Sequence, residues 1–329
     1  MRIAVVGAGA VGARAARQLA SSDGVDTVVV HEPDDVRAGA VLQGLTDERA
    51  VRGVVPLSQP DGLAAAVLAV PCGDHVERAA QLVELGIHVV SVSDDLTDVR
   101  GLLALDGRAR ERGVSVVVGA AFAPGLTCLL ACHGASLFDA VDEVHVAKVG
   151  TGGPACARQH HHALSRSAVD WRDGEWIDRR GGSGRELCWF PEPIGGADCY
   201  RAELPDALLL QPAFAGATRI TARVAANRRD RLTARLPMLR SPHPEGTIGA
   251  VRVELRGSRQ GARAVEVLGV LDRPALAAGA VAALAAMAGA RGELRRPGAA
   301  GLAELADPLP LLSALRDRGV KAATFEGAV

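Results

Sequence analysis

Apolar residues in the first third of the chain fall in short unbroken runs, at 3–6, 27–30, 54–57, 67–70, 87–92 and 114–119. Runs without polar alternation predict parallel strands covered on both faces. Between them, 10–20, 37–49, 61–66, 74–85 and 98–112 carry helical patterning. Strand and helix in alternation predict a Rossmann-type, doubly wound parallel sheet of the α/β class, with ligands at the C-terminal strand ends. The texture changes near residue 123. A helix over 126–135 and a strand over 141–149 precede a Gly-, Arg-, His- and Trp-rich stretch at 150–200. Alternating segments at 219–225, 250–256 and 264–271 predict a second α/β domain with a mixed or antiparallel sheet. An Ala-rich helix (275–289), a last helix (311–318) and a short strand (320–325) follow, and 241–246, with its two prolines and a glycine, reads as a surface loop. The resulting division is 1–122, 123–295, and a 296–329 segment that packs back on the first domain.

The first strand runs into Gly7-Ala8-Gly9-Ala10-Val11-Gly12, and Glu32 closes the second strand. Gly-x-Gly-x-x-Gly between a strand and a helix, with an acid some twenty residues on, predicts a dinucleotide grip. Gly7 permits the turn, Gly9 lets the backbone approach a pyrophosphate, and Gly12 lets helix and strand pack. The amides around Ala10 and Val11 then face the phosphates. A carboxylate at Glu32 accepts from ribose hydroxyls and repels a 2′-phosphate. The expected cofactor is therefore NAD, with NADP as the alternative because Arg37 lies nearby.

Composition narrows the function classes. With a formal net charge of −1, nothing favours nucleic acid or an acidic membrane as partner. The uncharged stretch 274–290 is Ala- and Gly-rich and too weakly apolar for a membrane span. Met1 leads directly into a strand, so no cleavable leader is expected and the location is taken as cytoplasmic. Lys148 and Lys321 are the only lysines. The six cysteines are expected to be reduced. A zinc reading could draw on Cys128, Cys132 and His133, or on Cys156, His160 and His161. No tight Cys-x-x-Cys pair supports it, and no metal is expected.

Candidate chemistry gathers at the strand-end loops. Val70, Pro71 and Cys72 follow one strand, Ser93 and Asp95 another, and Ala120 a third, making a floor for a nicotinamide. His75 and Asp95 either reach cofactor or substrate, or cap helices. In the second domain, Cys156 and His160 share a helix face and Arg158 sits beside His161 and His162. Arg158 could hold a substrate carboxylate while a histidine moves a proton, as hydride transfer requires. Lys148, on an apolar strand, is a further carboxylate-binding or acid–base group, or a plain strand residue. The proton-transfer residue is thus one of His160, His161, Lys148 and His75. Arg185 and Tyr200 lie in the span that holds all three tryptophans. With Trp189 they line the substrate cleft or form a subunit interface.

The stretches 69–75 and 116–127 resemble the saccharopine dehydrogenase-like family of NAD(P)-dependent oxidoreductases. The shared features are a His opening the helix after the fourth strand, a Ser-rich loop after the fifth, and a Pro-Gly pair ending the nucleotide domain. Gly150-Thr151-Gly152-Gly153-Pro154 resembles the family's Gly-Gly-x-Pro segment at the substrate cleft, placing Gly152 and Gly153 beside substrate. Ala123 stands where that family usually carries Asp. The resemblance implies hydride transfer on a small amino-acid-derived molecule, with a C–N bond as target, and a homodimer. The alternatives are a non-redox enzyme that uses bound NAD transiently, and a catalytically silent dinucleotide sensor or scaffold.

Overall fold

The computed structural model describes residues 1–45, 50–52, 62–238, 241–320 and 322–324. The first unit runs β1 (Arg2–Val6), α1 (Ala10–Ala20), β2 (Thr27–His31), α2 (Asp35–Gln43), β3 (Ala50–Arg52), β4 (Leu63–Leu68), α3 (His75–Glu84), β5 (His88–Ser91), α4 (Leu96–Leu103), α5 (Asp106–Glu111) and β6 (Ser115–Val117). The second begins with α6 (Leu126–Ala135), β7 (Ala140–Val149), α7 (Pro154–Ala163), β8 (Ser167–Arg172), β9 (Glu175–Arg180), β10 (Glu186–Trp189), β11 (Gly196–Arg201) and α8 (Asp206–Leu210). It continues with β12 (Arg219–Ala225), α9 (Arg228–Thr233), β13 (Gly249–Arg259), β14 (Ala262–Asp272), α10 (Pro274–Ala290), β15 (Gly298–Ala300), α11 (Leu302–Leu305), α12 (Pro308–Asp317) and β16 (Ala322–Thr324).

Seven parallel strands form the first sheet in the order β15-β6-β5-β4-β1-β2-β3. Its unbroken apolar strands are buried because helices cover both faces. The second sheet is mixed: β7 and β12 pair in parallel, whereas β13 pairs antiparallel with both β7 and β14. The fold is thus α/β with two sheets, as the strand patterns required.

Several elements differ from the sequence expectation. The segment 61–66 reads as a helix because it contains three consecutive alanines, but Leu63–Leu68 is a strand between β1 and β5. Sheet pairing on both edges outweighs the weak helical preference of a six-residue run. The expected strand 54–57 lies outside the described residues. The predicted helix 98–112 is two helices broken at Ala104 and Leu105. The 150–200 stretch folds into α7 and the strands β8–β11.

The Ala-rich helix is buried along nearly its whole length, with Pro274, Ala275 and every residue from Ala277 to Gly289 inside. It lies against α1, β4 and β5 of the first sheet. The 296–329 segment serves both sheets, since β15 extends the first beside β6 and β16 pairs with β14 of the second. One apolar core runs through both units. No helix of the described residues is long and apolar enough to cross a membrane.

Candidate active site

The glycine turn has the geometry its sequence implies. Gly7 has φ +97°, and a Cβ at Gly12 would lie 1.9 Å from the Gly7 carbonyl oxygen. A Cβ at Gly9 would meet nothing within 4 Å, so the space above the turn is open. Gly9 is also the N-cap of α1 and offers no side chain to the first-turn amides around Ala10 and Val11. Open space over an N-terminus without a side-chain cap fits a dinucleotide pyrophosphate. Glu32, 5 % exposed, accepts from the Ala8 amide (2.8 Å) and the Asp34 amide (3.2 Å). The Arg37 guanidinium stands 3.5 Å from it.

A second helix start meets the first here. Gly153, with φ +129°, has room for no side chain because a Cβ would lie 2.9 Å from that of Ala10. Gly152 is packed beside Ala275. The 241–246 loop presses onto the same corner, where Glu245 pairs with Arg14 and Gly246 lies against Thr151. Helix α7 is therefore fixed across the C-terminal edge of the first sheet.

Four chemically capable side chains converge under α7. The Asp94 carboxylate, in the loop after β5, lies 2.9 Å from His160 Nε2 and 3.3 Å from Lys148 Nζ. Lys148 is 3 % exposed and donates to the Ala123 carbonyl at 3.0 Å. The backbone of Ala123 thus serves Lys148 where the resembled family would present an Asp. Cys156, one turn before His160 on α7, places Sγ 3.5 Å from the same Nε2.

The charges in this cluster shift one another. Burial would raise the Asp94 carboxyl, but the Lys148 ammonium and the His160 ring hold it well below the usual carboxylate range. Burial disfavours a charged His160. The Cys156 sulfur, against the opposing Lys148, and the Asp94 carboxylate nonetheless push it up to about 9. Burial would also raise the Cys156 thiol, yet the His160 imidazolium brings it below its ordinary value. At neutral pH the cluster therefore holds a cationic imidazole between a carboxylate and an acidified thiol.

The other expected site residues have different placements. His75 is 1 % exposed, with Nε2 donating to the Val70 carbonyl (3.0 Å) and Nδ1 accepting from Ser91 Oγ (2.9 Å). Burial keeps its ring neutral, so it braces two strand-end loops and has no nitrogen left for proton transfer. His161 faces away from the cluster and donates to the Thr233 and Leu236 carbonyls at 2.9 and 3.0 Å. Asp95 caps α4 through the Thr97 and Asp98 amides and accepts from Gln159 at 2.9 Å. Ser93 Oγ donates to Asp98 (2.8 Å), and the buried Ala120 amide donates to Ser91 (2.8 Å). Cys72 Sγ lies 3.9 Å from Gln159 of α7, and the Val70 carbonyl is taken by His75.

Arg158 is on the exposed face of α7. Arg185 pairs with Asp198 at 2.9 Å, and Tyr200 is buried 4.1 Å beneath Arg231. Among the described residues, none of the hydrogen bonds or ion pairs of the Asp94 cluster involves Arg158, Arg185 or Tyr200. Sequence reasoning missed Asp94 and gave Cys156 no catalytic part. The signals were present: Asp95 precedes Leu96-Thr97-Asp98 as an N-cap, which leaves Asp94 free, and Cys156 and His160 stand four apart.

No known family model matches the chain. Solved structures share its fold over nearly its full length. Saccharopine dehydrogenase (L-Glu forming) from Saccharomyces cerevisiae superposes with a TM-score of 0.70 at 14 % identity, covering 98 % of this chain and 99 % of that one. An engineered D-amino acid dehydrogenase bound to NADP+ gives 0.54 at 13 % identity, covering 97 % and 99 %. The C. glutamicum DAP dehydrogenase in complex with DAP gives 0.51 at 15 % identity, covering 97 % and 98 %. The chain therefore has the two-domain dehydrogenase fold.

Proposed function

We propose that the protein is an NAD(P)-dependent oxidoreductase acting at a C–N bond of a small amino-acid-derived substrate. The observation that carries this reading is the Lys148–Asp94–His160 cluster. It joins the nucleotide-side strand ends to α7, at the C-terminal strand edge where a nicotinamide would lie. The named substrates of the similar folds, saccharopine, D-amino acids and DAP, support an amino-acid-like molecule. When bound, the cofactor supplies or accepts a hydride at the carbon of the C–N bond.

The glycine turn and the α1 amides would hold the pyrophosphate, and Glu32 would receive the adenosine ribose, which favours NAD. In the reductive direction the imine nitrogen takes the proton of His160 Nε2, giving a neutral imidazole and a secondary amine; oxidation reverses this. Lys148 keeps Asp94 in place and adds positive charge that draws a substrate carboxylate into the cleft. The homodimer belongs to the same reading. Leu187 and Trp189, 58 % and 59 % exposed on the edge strand β10, are apolar surface suited to a subunit contact.

The test is to titrate purified protein with NADH and NADPH, then to screen amino acids with 2-oxo acids for oxidation of the reduced cofactor. Tight NADH binding and turnover are expected. Reductive kcat should fall as pH rises through about 9, where His160 loses its proton. His160→Gln should lower kcat by about a hundredfold and abolish that pH limb. Failure to bind either cofactor overturns the reading. Binding without turnover makes the protein a dinucleotide sensor, and turnover without net redox change makes it an enzyme that uses NAD transiently.

A further inference from the structure

Asp94, Cys156 and His160 have a feature that hydride chemistry does not use. Their donor atoms, a carboxylate oxygen, a thiol sulfur and an imidazole nitrogen, all lie within 4.8 Å of one another. The sulfur and the carboxylate both approach the same ring nitrogen, Nε2, at 3.5 and 2.9 Å. A nucleophile–base–acid relay would use the two ring nitrogens separately, one for the nucleophile and one for the carboxylate. Convergence on a single nitrogen is instead what three ligands of one ion show.

We propose that Asp94, Cys156 and His160 form a binding site for one zinc-class divalent ion, and that its occupancy blocks proton transfer by His160. The inhibitory consequence rests on the dehydrogenase reading; the binding itself does not.

Distances support the assignment. Zinc bonds of ~2.3 Å to sulfur and ~2.05 Å to nitrogen at a tetrahedral angle put the two ligand atoms about 3.6 Å apart. The observed separation is 3.5 Å. The nitrogen–oxygen edge needs about 3.4 Å, so Asp94 must withdraw by about half an ångström from its present 2.9 Å. Cys156 and His160 are four apart on a regular helix, which fixes two ligands rigidly. Asp94 is held between Ser93 and Asp95, whose side chains are themselves hydrogen-bonded.

Three protein ligands leave a fourth position for water, the arrangement of open rather than structural sites. On binding, His160 Nε2 releases its proton to solvent, as does Cys156 Sγ where it still carries one, and nitrogen, sulfur and oxygen lone pairs bond the ion. No electron is transferred. Lys148, 3.3 Å from Asp94, is the adjacent cation that weakens the site. The ligand set differs from that suggested by the sequence. His161 is turned away to the Thr233 and Leu236 carbonyls, and the third ligand, Asp94, comes from the loop after β5.

The probe is Co2+ added to the full-length protein under reducing conditions, read by the near-ultraviolet thiolate-to-cobalt absorption and its displacement by Zn2+. A saturable band at one ion per chain is expected. It should vanish in Cys156→Ser, weaken at least tenfold in Asp94→Asn and His160→Gln, and persist in Cys72→Ser. Lys148→Met should tighten binding, by about tenfold, through removal of the neighbouring charge. Absence of the band, its persistence in Cys156→Ser, or unchanged affinity in Asp94→Asn overturns the site. Cobalt binding is measured without substrate. A chain that binds the ion but oxidises no NADH refutes the dehydrogenase reading alone, and one that turns over without the band refutes the metal site alone.

Discussion

At the scale of single residues, adjacent acids have divided two tasks. Asp95 gives its carboxylate to the α4 amides and to Gln159, while Asp94 meets Lys148 and His160. The sequence identifies a polar loop after β5, but only the geometry shows that residue 94 faces the second sheet. The same limit applies to the histidines. Three in a row leave open which ring faces inward, and the i, i+4 relation to Cys156 selects His160. Glu32 is more legible, because its position beside the glycine turn follows from its place after β2. Its carboxylate already accepts from the Ala8 amide, so it stands at the rim of the glycine turn. Glu32→Ala should weaken NADH binding about tenfold, the worth of a hydrogen bond to a charged group, and leave NADPH binding equal or improved. Fluorescence titration of both cofactors measures the ratio; an unchanged ratio would show that Glu32 does not meet the ribose.

At the scale of elements, parallel strands and amphipathic helices were readable from their runs and spacing, and the failures have a common cause. The alanines of β4 fit a helix locally, and only hydrogen bonding to β1 and β5 decides the matter. The role of α10 was likewise invisible: its sequence shows that it is buried but not what buries it. In the structure it crosses α1 closely enough that a Cβ at Gly279 would lie 2.7 Å from Arg14 Cβ and 2.9 Å from the Ala15 amide nitrogen. Gly279→Ala gains up to about 1 kcal/mol in helix propensity, but forcing α1 outward costs about 1–3 kcal/mol. The net effect should be a lower Tm and weaker NADH binding, since Arg14 and Ala15 belong to the helix whose N-terminus is proposed to hold the pyrophosphate. Gly107→Ala on α5, where a Cβ meets nothing within 4 Å, should leave both unchanged or raise Tm slightly. Equal thermal shifts in the two variants would rule out the close crossing as the cause.

At the scale of the molecule, the cluster ties the two sheets together through charge, which makes their union depend on pH. The sign follows from the direction of each shift. Asp94 is lowered in the folded state, so its stabilisation is present above its ordinary value of 3.8 and is lost only as pH falls through its depressed value. His160 is raised from 6.5 to about 9, so its stabilisation is complete below 6.5 and disappears as pH rises through about 9. Both act together between 3.8 and 6.5. Full expression of the His160 shift corresponds to roughly 3 kcal/mol as an upper bound, enough to move the Tm of a chain this size by several degrees. His160→Gln should therefore melt well below the native protein at pH 6, and the gap should narrow steadily to pH 10. Only the packing lost with the imidazole should remain there. Calorimetry of both proteins across that range measures the gap directly. A gap of constant width would mean that the His160 charge contributes nothing to holding α7 over the strand ends. The union of the two sheets would then rest on their shared apolar core.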